Sequence, residues 1–272
     1  MGSSSDFSPA RAGANALFGW LAAQARDGAP FVLATVTDTG GSTPRLAGAM
    51  MGITSTGQSG TIGGGAFEHH VIAEARALLA APGRSTSVVD VHLVRDLGMC
   101  CGGKMTAFLN KTEPAPSLWI FGAGHVGSEL APLAQRAGFQ VTVVDARAEW
   151  ADAVRFPEGV EVVDAEPDDL LKGRRPGPHA YVVVTTHSHA LDEQLVGALS
   201  VEPPAYTGLI GSRAKWARFR ARLSERGVPA AFLDAVRSPV GLDIGAVTPA
   251  EIAVSIVAEL VAVRRAARPG EG

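Results

Sequence analysis

The chain has 272 residues, 46% of them apolar and 19% charged, with a net charge of −3. This composition supports folded cores and excludes a disordered chain, and the acidic balance argues against a general nucleic-acid binder. The length suggests two domains, and the two cysteines, Cys100 and Cys101, are too few for a disulfide scaffold or a four-cysteine zinc site.

The N-terminal residues MGSSSDFSPA lack the basic and apolar parts of a signal peptide. The uncharged stretch from Leu46 to Phe67, apart from its length, does not read as a membrane span, because seven glycines and several hydroxyl residues interrupt it. We therefore expect a cytoplasmic protein with no membrane or nucleic-acid partner. The mean hydropathy of +0.16 leads us to expect a homodimer that buries some surface.

In chain order, residues 14–26 read as a helix and FVLATVTD (31–38) as a strand. TGGSTPRLAG (39–48) is a loop, AMMGITS (49–55) a strand and GQSGTIGGG (57–65) a second glycine-rich loop. Phe67, Val71, Ile72, Ala75, Leu78 and Leu79 then share one helical face. SVVDVHLV (87–94) and KMTAFLN (104–110) read as strands flanking the turn around MCCGG.

KTEPAPS (111–117) marks the domain boundary, giving an α+β domain over 1–113 and a second domain over 118–266. In the second, short apolar runs at 118–121, 141–144, 160–163, 181–186 and 207–210 alternate with helical patterns. Runs this short and apolar predict strands buried on both faces, hence a doubly wound, Rossmann-like α/β domain. Thr248, Pro249 and Glu251 predict a capping box that starts the last helix, and Pro132 is expected to kink an earlier one.

Five motifs carry candidate chemistry. Gly122, Gly124, His125 and Gly127 form a Gly-x-Gly-x-x-Gly turn between strand and helix, with Asp145 ending the next strand. That pattern suits a dinucleotide: the turn approaches the pyrophosphate and the acid takes ribose hydroxyls. Arg147 leaves NAD and NADP undistinguished, and the glycines could instead serve helix packing. The loop with Gly41, Ser42, Thr43 and Arg45 offers amides, hydroxyls and a guanidinium to a phosphate. Gly63, Gly64 and Gly65 open a helix whose first turn holds Glu68, which reads either as a dipole-favoured residue or as a functional carboxylate.

Cys100 and Cys101 sit in a glycine-flanked turn that lets both reach a ligand as soft donors or sulfur nucleophiles. Alternatively, one of them is a small buried hydrophobe. His187 and His189 follow a strand at the sheet's carboxyl edge and read as cofactor-facing or as local caps. No third ligand of a zinc hydrolase accompanies them. Arg213 and Lys215 open a helix in a manner that suits a phosphate, whereas His70 and Glu74 read as a solvated face.

GGSTPRLAGAMM, GTIGGGAFE, GMCCGGK, FGAGHVG, VVVTTHSHALD, GLIGSRAK and SPVGLDIGAVTPAEIAVSIVAE together, in this order, resemble the xanthine dehydrogenase accessory protein (XdhC/CoxI) family. The resemblance covers nearly the whole chain. The short loop at 93–99 and Pro239-Val240, where Pro-Ile is more usual, depart from the family pattern.

The resemblance implies a non-enzymatic maturation factor. Such a protein holds the molybdenum cofactor (molybdopterin) for terminal sulfuration by a cysteine desulfurase and inserts it into apo-xanthine dehydrogenase. It also implies that Cys100 or Cys101 meets the molybdenum or carries sulfur, that basic residues take the phosphate, and that a nucleotide could occupy the Rossmann turn. Because both halves have glycine-rich loops, we expect the cofactor between them. The rival reading is an NAD(P)-dependent oxidoreductase, although no Lys–Tyr pair or hydride-transfer acid stands out.

Overall fold

A computed structural model describes residues 9–81, 83–98 and 102–266. The chain divides between Pro114 and Ala115 into two compact units.

The first unit is a five-stranded antiparallel sheet in the order β3-β2-β1-β5-β4. Its strands are β1 (Phe31–Gly40), β2 (Met50–Ile53), β3 (Gln58–Gly60), β4 (Thr86–His92) and β5 (Lys104–Thr112). Alternation along the strands gives each sheet face a different helix. Val32, Ala34, Val36, Met51 and Ile53 pack with α2 (Gly65–Ala80), whose Phe67, Val71, Ile72, Ala75 and Leu78 are buried. Each large apolar side chain fully buried there contributes about 1.5–3 kcal/mol. On the other face, Phe31, Leu33 and Met50 meet Leu17, Trp20 and Leu21 of α1 (Pro9–Arg26). A Cβ at Gly52 would lie 2.8 Å from the Trp20 ring, so the indole needs a glycine beneath it.

Two elements differ from the sequence reading. The second glycine-rich loop contains β3, and the pattern read as a strand to residue 94 ends at His92, where the short α3 (Leu93–Leu97) begins. The Asp96 carboxylate accepts from the His92 N–H at 2.8 Å, and Gly98 ends the helix in a left-handed conformation.

The second unit is an all-parallel sheet in the order β10-β9-β6-β7-β8. It is built from β6 (Ser117–Phe121), β7 (Gln140–Asp145), β8 (Glu161–Asp164), β9 (Tyr181–Val184) and β10 (Tyr206–Leu209). Leu118, Ile120, Val141, Val143 and Val183 pack toward α4 (His125–Arg136) and α9 (Pro249–Ala266). Trp119, Phe121, Val144, Val182 and Val184 pack toward the opposite layer. That layer holds α5 (Pro167–Gly173), α6 (His189–Leu199), α7 (Arg213–Glu225) and α8 (Ala230–Ala235). This is the predicted doubly wound fold, with its strand-order switch between β6 and β9.

The predicted capping box forms: the Glu251 N–H donates to Thr248 Oγ1, and the Thr248 N–H donates to the Glu251 carboxylate at 2.9 Å. α4 continues through Pro132.

Candidate functional site

In the first unit, three separately predicted glycine motifs come together. A Cβ at Gly103 would lie 2.5 Å from the Ser42 carbonyl oxygen and 2.6 Å from that of Gly40. A Cβ at Gly63 would lie 2.9 Å from the Pro44 ring. The turn at 102–103 is thus packed backbone to backbone against that at 40–45, and the turn at 61–65 packs against the Pro44 and Arg45 side chains. Gly41, Gly63, Gly64 and Gly65 have positive φ, which other residues rarely adopt. At Gly40, Gly48, Gly64 and Gly102 none of the described residues lies within 4 Å of a built Cβ, which leaves these backbones open to a visitor on that side.

Ser42 and Arg45 are exposed on this cluster. Glu68 has a structural task. Its Oε2 accepts from Thr61 Oγ1 at 2.6 Å and from the Ile62 and Gly64 N–H groups at 3.1 Å each. Partial burial raises its pKa, but the bonds from Thr61, Gly64 and Ile62 outweigh this and hold it below the ordinary value. The Ile62 and Gly64 amides just before α2 are therefore taken by the chain's own carboxylate. Cys100 and Cys101, predicted to meet molybdenum or sulfur, lie outside the described residues.

In the second unit, the ends of β6, β7 and β9 are in register, and a cavity of about 330 Å³ opens beyond them. Gly122, Asp145, Arg147, Glu166, Thr186 and His187 line it. The three motif glycines divide by role. A Cβ at Gly122 would lie 2.4 Å from the Thr185 carbonyl oxygen, and one at Gly127 would lie 1.9 Å from that of Gly122. Both are packing glycines. At Gly124 the nearest atom is Arg147 Nη2 at 3.8 Å, which leaves room for close approach.

Asp145 corrects the sequence reading. It is 4% exposed. Its Oδ2 accepts from the Ala123 N–H at 2.8 Å and from Arg147 Nη2 at 2.7 Å. Its Oδ1 accepts from the Arg147 N–H at 3.0 Å and Nε at 2.8 Å. All four in-plane acceptor positions are used, so ribose hydroxyls find none unless Arg147 moves. Burial raises the Asp145 pKa, but the Arg147 and Ala123 bonds more than reverse this.

His187 lines the cavity, whereas His189 is the exposed first residue of α6 and is absent from the lining. The N-cap of α6 is Ser188, whose Oγ accepts from the Leu191 N–H. His125 is exposed and meets Trp150 edge to face at 5.1 Å. Arg213 is exposed at the start of α7, but Lys215 is buried and cannot take a phosphate as read. Its Nζ donates to Asp192 at 2.6 Å and to the Ile210 carbonyl at 2.9 Å, while Asp192 also accepts from Thr186 Oγ1 at 2.7 Å. This pair ties the loops after β9 and β10 together. Among the described residues no cluster of three His, Cys, Asp or Glu is arranged to hold a metal, and no helix is long and apolar enough to cross a membrane.

Sequence reasoning missed Glu166, which lines the first cavity from the N-cap of α5. Glu166 lies in no periodic or glycine-rich pattern of the kind that exposed the other motifs. The loop 239–246, quoted above only as part of the motif SPVGLDIGAVTPAEIAVSIVAE, lines a second cavity that the sequence reading did not assign.

Fold and site together define a two-unit α/β protein with a Rossmann domain and a separate glycine-turn domain. The family model described as the XdhC Rossmann domain matches residues 118–260, and that of the XdhC and CoxI family matches residues 24–92. The chain belongs to the XdhC and CoxI family.

It is 33% identical over 246 residues to the uncharacterized protein YqeB of Escherichia coli (strain K12), covering 89% of this chain and 45% of that protein. It is 38% identical over 158 residues to a probable xanthine dehydrogenase subunit of Bacillus subtilis (strain 168), covering 58% of this chain and 46% of that protein. The chain thus matches about half the length of these curated relatives. A crystal structure described as that of a xanthine dehydrogenase from Bacillus halodurans shares the fold at a TM-score of 0.53 and 22% identity, covering 94% of this chain and 98% of that one.

Proposed function

We propose that the protein is a non-enzymatic accessory factor in xanthine dehydrogenase maturation. It holds the molybdenum cofactor as cargo, keeps it available for sulfuration by a cysteine desulfurase and passes it to apo-xanthine dehydrogenase. Family membership supports the maturation role. The observation that carries the cargo reading is the packing of three glycine turns against one another in the first unit, beside the exposed Arg45.

The donor set fits such a cargo. Open backbone at Gly40, Gly64 and Gly102 admits a planar pterin closely, as side chains would not. The Arg45 guanidinium offers a charge-assisted contact to its phosphate. Cys100 and Cys101 precede Gly102 in sequence and supply the soft donors that molybdenum and sulfur chemistry call for. Glu68 positions the 61–64 turn, and Thr43 Oγ1 ties the first turn by donating to the Arg45 carbonyl at 3.0 Å.

The test is anaerobic gel filtration of the protein with released cofactor, followed by molybdenum and pterin assay of the protein peak. Co-elution is expected, and it should fall sharply in the Cys100→Ala/Cys101→Ala double variant. Elution of the cofactor apart from the wild-type protein refutes the reading.

A further inference from the structure

Beyond the carboxyl end of β10 lies a second cavity, of about 540 Å³, that the role above does not use. This is within the usual range of small-molecule sites. Its apolar lining includes Ile210, Pro239, Val240, Leu242, Ile244 and Ile252. The loop that builds it has no regular secondary structure, yet its backbone is pinned. The Val240 N–H donates to the Leu209 carbonyl at 3.1 Å, the Gly241 N–H to the Glu259 carboxylate at 2.5 Å, and the Leu242 N–H to the Ser255 carbonyl at 3.1 Å. Gly241 has φ +100°, and a Cβ there would lie 2.3 Å from Ser255 Oγ. Held this way, the loop keeps Leu242 45% and Ile244 54% exposed around the opening.

Two charged side chains, Arg213 and Asp243, line the same cavity. Among the described residues neither has an ion-pair partner, and they do not pair with each other. A preformed apolar slot with one available carboxylate and one available guanidinium suits a ligand that is flat, donates at one edge and is negative at another.

We propose that this cavity binds a planar heterocycle with an amidine-like N–H edge and an anionic substituent. The ring lies among the apolar side chains, its paired N–H donors meet the two oxygens of Asp243, and the anion meets Arg213. The 2-amino-4-oxo-pyrimidine ring of pterins and of guanine has this edge, whereas adenine does not. With a pterin the inference deepens the cargo reading and rests on it; with a guanine nucleotide it stands apart.

The experiment titrates the full chain with pterin-6-carboxylate and unsubstituted pterin by fluorescence, and with GMP and AMP by calorimetry. At least one of pterin-6-carboxylate and GMP should saturate, and AMP should not. Tighter binding of pterin-6-carboxylate identifies a pterin site, and tighter binding of GMP a nucleotide site. Asp243→Asn places an amide against the donor edge and should weaken the bound ring ligand at least about tenfold. Arg213→Ala should weaken the anionic ligand about tenfold while leaving any binding of uncharged pterin unchanged.

Both substituted residues are exposed, and unchanged thermal midpoints will show that the variants fold. Absence of saturable binding to the wild type, or full affinity in Asp243→Asn, overturns the proposal. Neither result touches the glycine-turn reading, which is tested with intact cofactor and residues of the first unit.

Discussion

Arg147 donates three of the four hydrogen bonds that fill the Asp145 carboxylate. A residue that sequence pattern assigns to a ribose is thereby committed to the chain's own loop, which it fastens to Ala123 in the glycine turn. Arg147→Ala would leave a buried carboxylate with only two backbone donors, the N–H groups of residues 123 and 147, and without its guanidinium, and we expect a loss of about 3 kcal/mol in urea unfolding. The Asp145 pKa is lowered in the fold, so its contribution is full above the ordinary aspartate range. It disappears as pH falls through the lower folded value. Wild-type stability should therefore drop more steeply on acidification below about pH 4 than that of Arg147→Ala.

The buried Lys215–Asp192 pair makes a second expectation. Lys215→Met strands a fully buried carboxylate and should cost about 3–5 kcal/mol. Adding Asp192→Asn removes the stranded charge yet keeps an acceptor for Thr186, so the double variant should recover much of that loss. Urea midpoints of the four proteins in this cycle decide the matter.

Glycine scanning should separate packing from ligand approach. Gly103→Ala and Gly127→Ala place a Cβ 2.5 Å and 1.9 Å from carbonyl oxygens, and both should lower the melting temperature by several degrees or prevent folding. Among the described residues Gly102→Ala meets nothing within 4 Å and Gly124→Ala meets Arg147 Nη2 at 3.8 Å, so both should melt near the wild type. Gly124→Val should fold but block a ligand at the switch point, measured by nucleotide titration.

Glu68→Gln weakens the acceptor that draws Thr61, Ile62 and Gly64 together. Its pKa is lowered, so the stability it gives is present above the ordinary glutamate range and is lost as pH falls through the folded value. Hydrogen exchange of the Ile62 and Gly64 amides should quicken in the variant at neutral pH.

Much of this architecture was legible because burial imposes periods. The α2 stripe from Phe67 to Leu78, the β1 alternation and the five apolar runs of the parallel sheet each state their buried faces directly. β3 and α3 are three and five residues long, too short for a period to emerge, and are set by strand pairing and by Asp96.

The candidate site was legible as motifs but not as geometry. The contact of Gly63 with Pro44 joins residues from different turns, and no local pattern encodes it. The roles of Asp145 and Lys215 depend on which side chain reaches them first: Arg147, two residues along, and Asp192, from another helix. The 239–246 loop was legible as a motif, but it is shaped by α9 carboxylate and carbonyl groups further along the chain, so its cavity was not.

The most direct test of the cargo account is the molybdenum-to-protein ratio after anaerobic gel filtration of Arg45→Ala and Gly40→Val, beside wild type and the control Arg76→Ala on exposed α2 surface. The account predicts a ratio near one for wild type and control. It predicts clear loss in both turn variants, with Arg45→Ala weakened by about 1.5–3 kcal/mol if its contact is charge-assisted. Equal retention by all four proteins would contradict it.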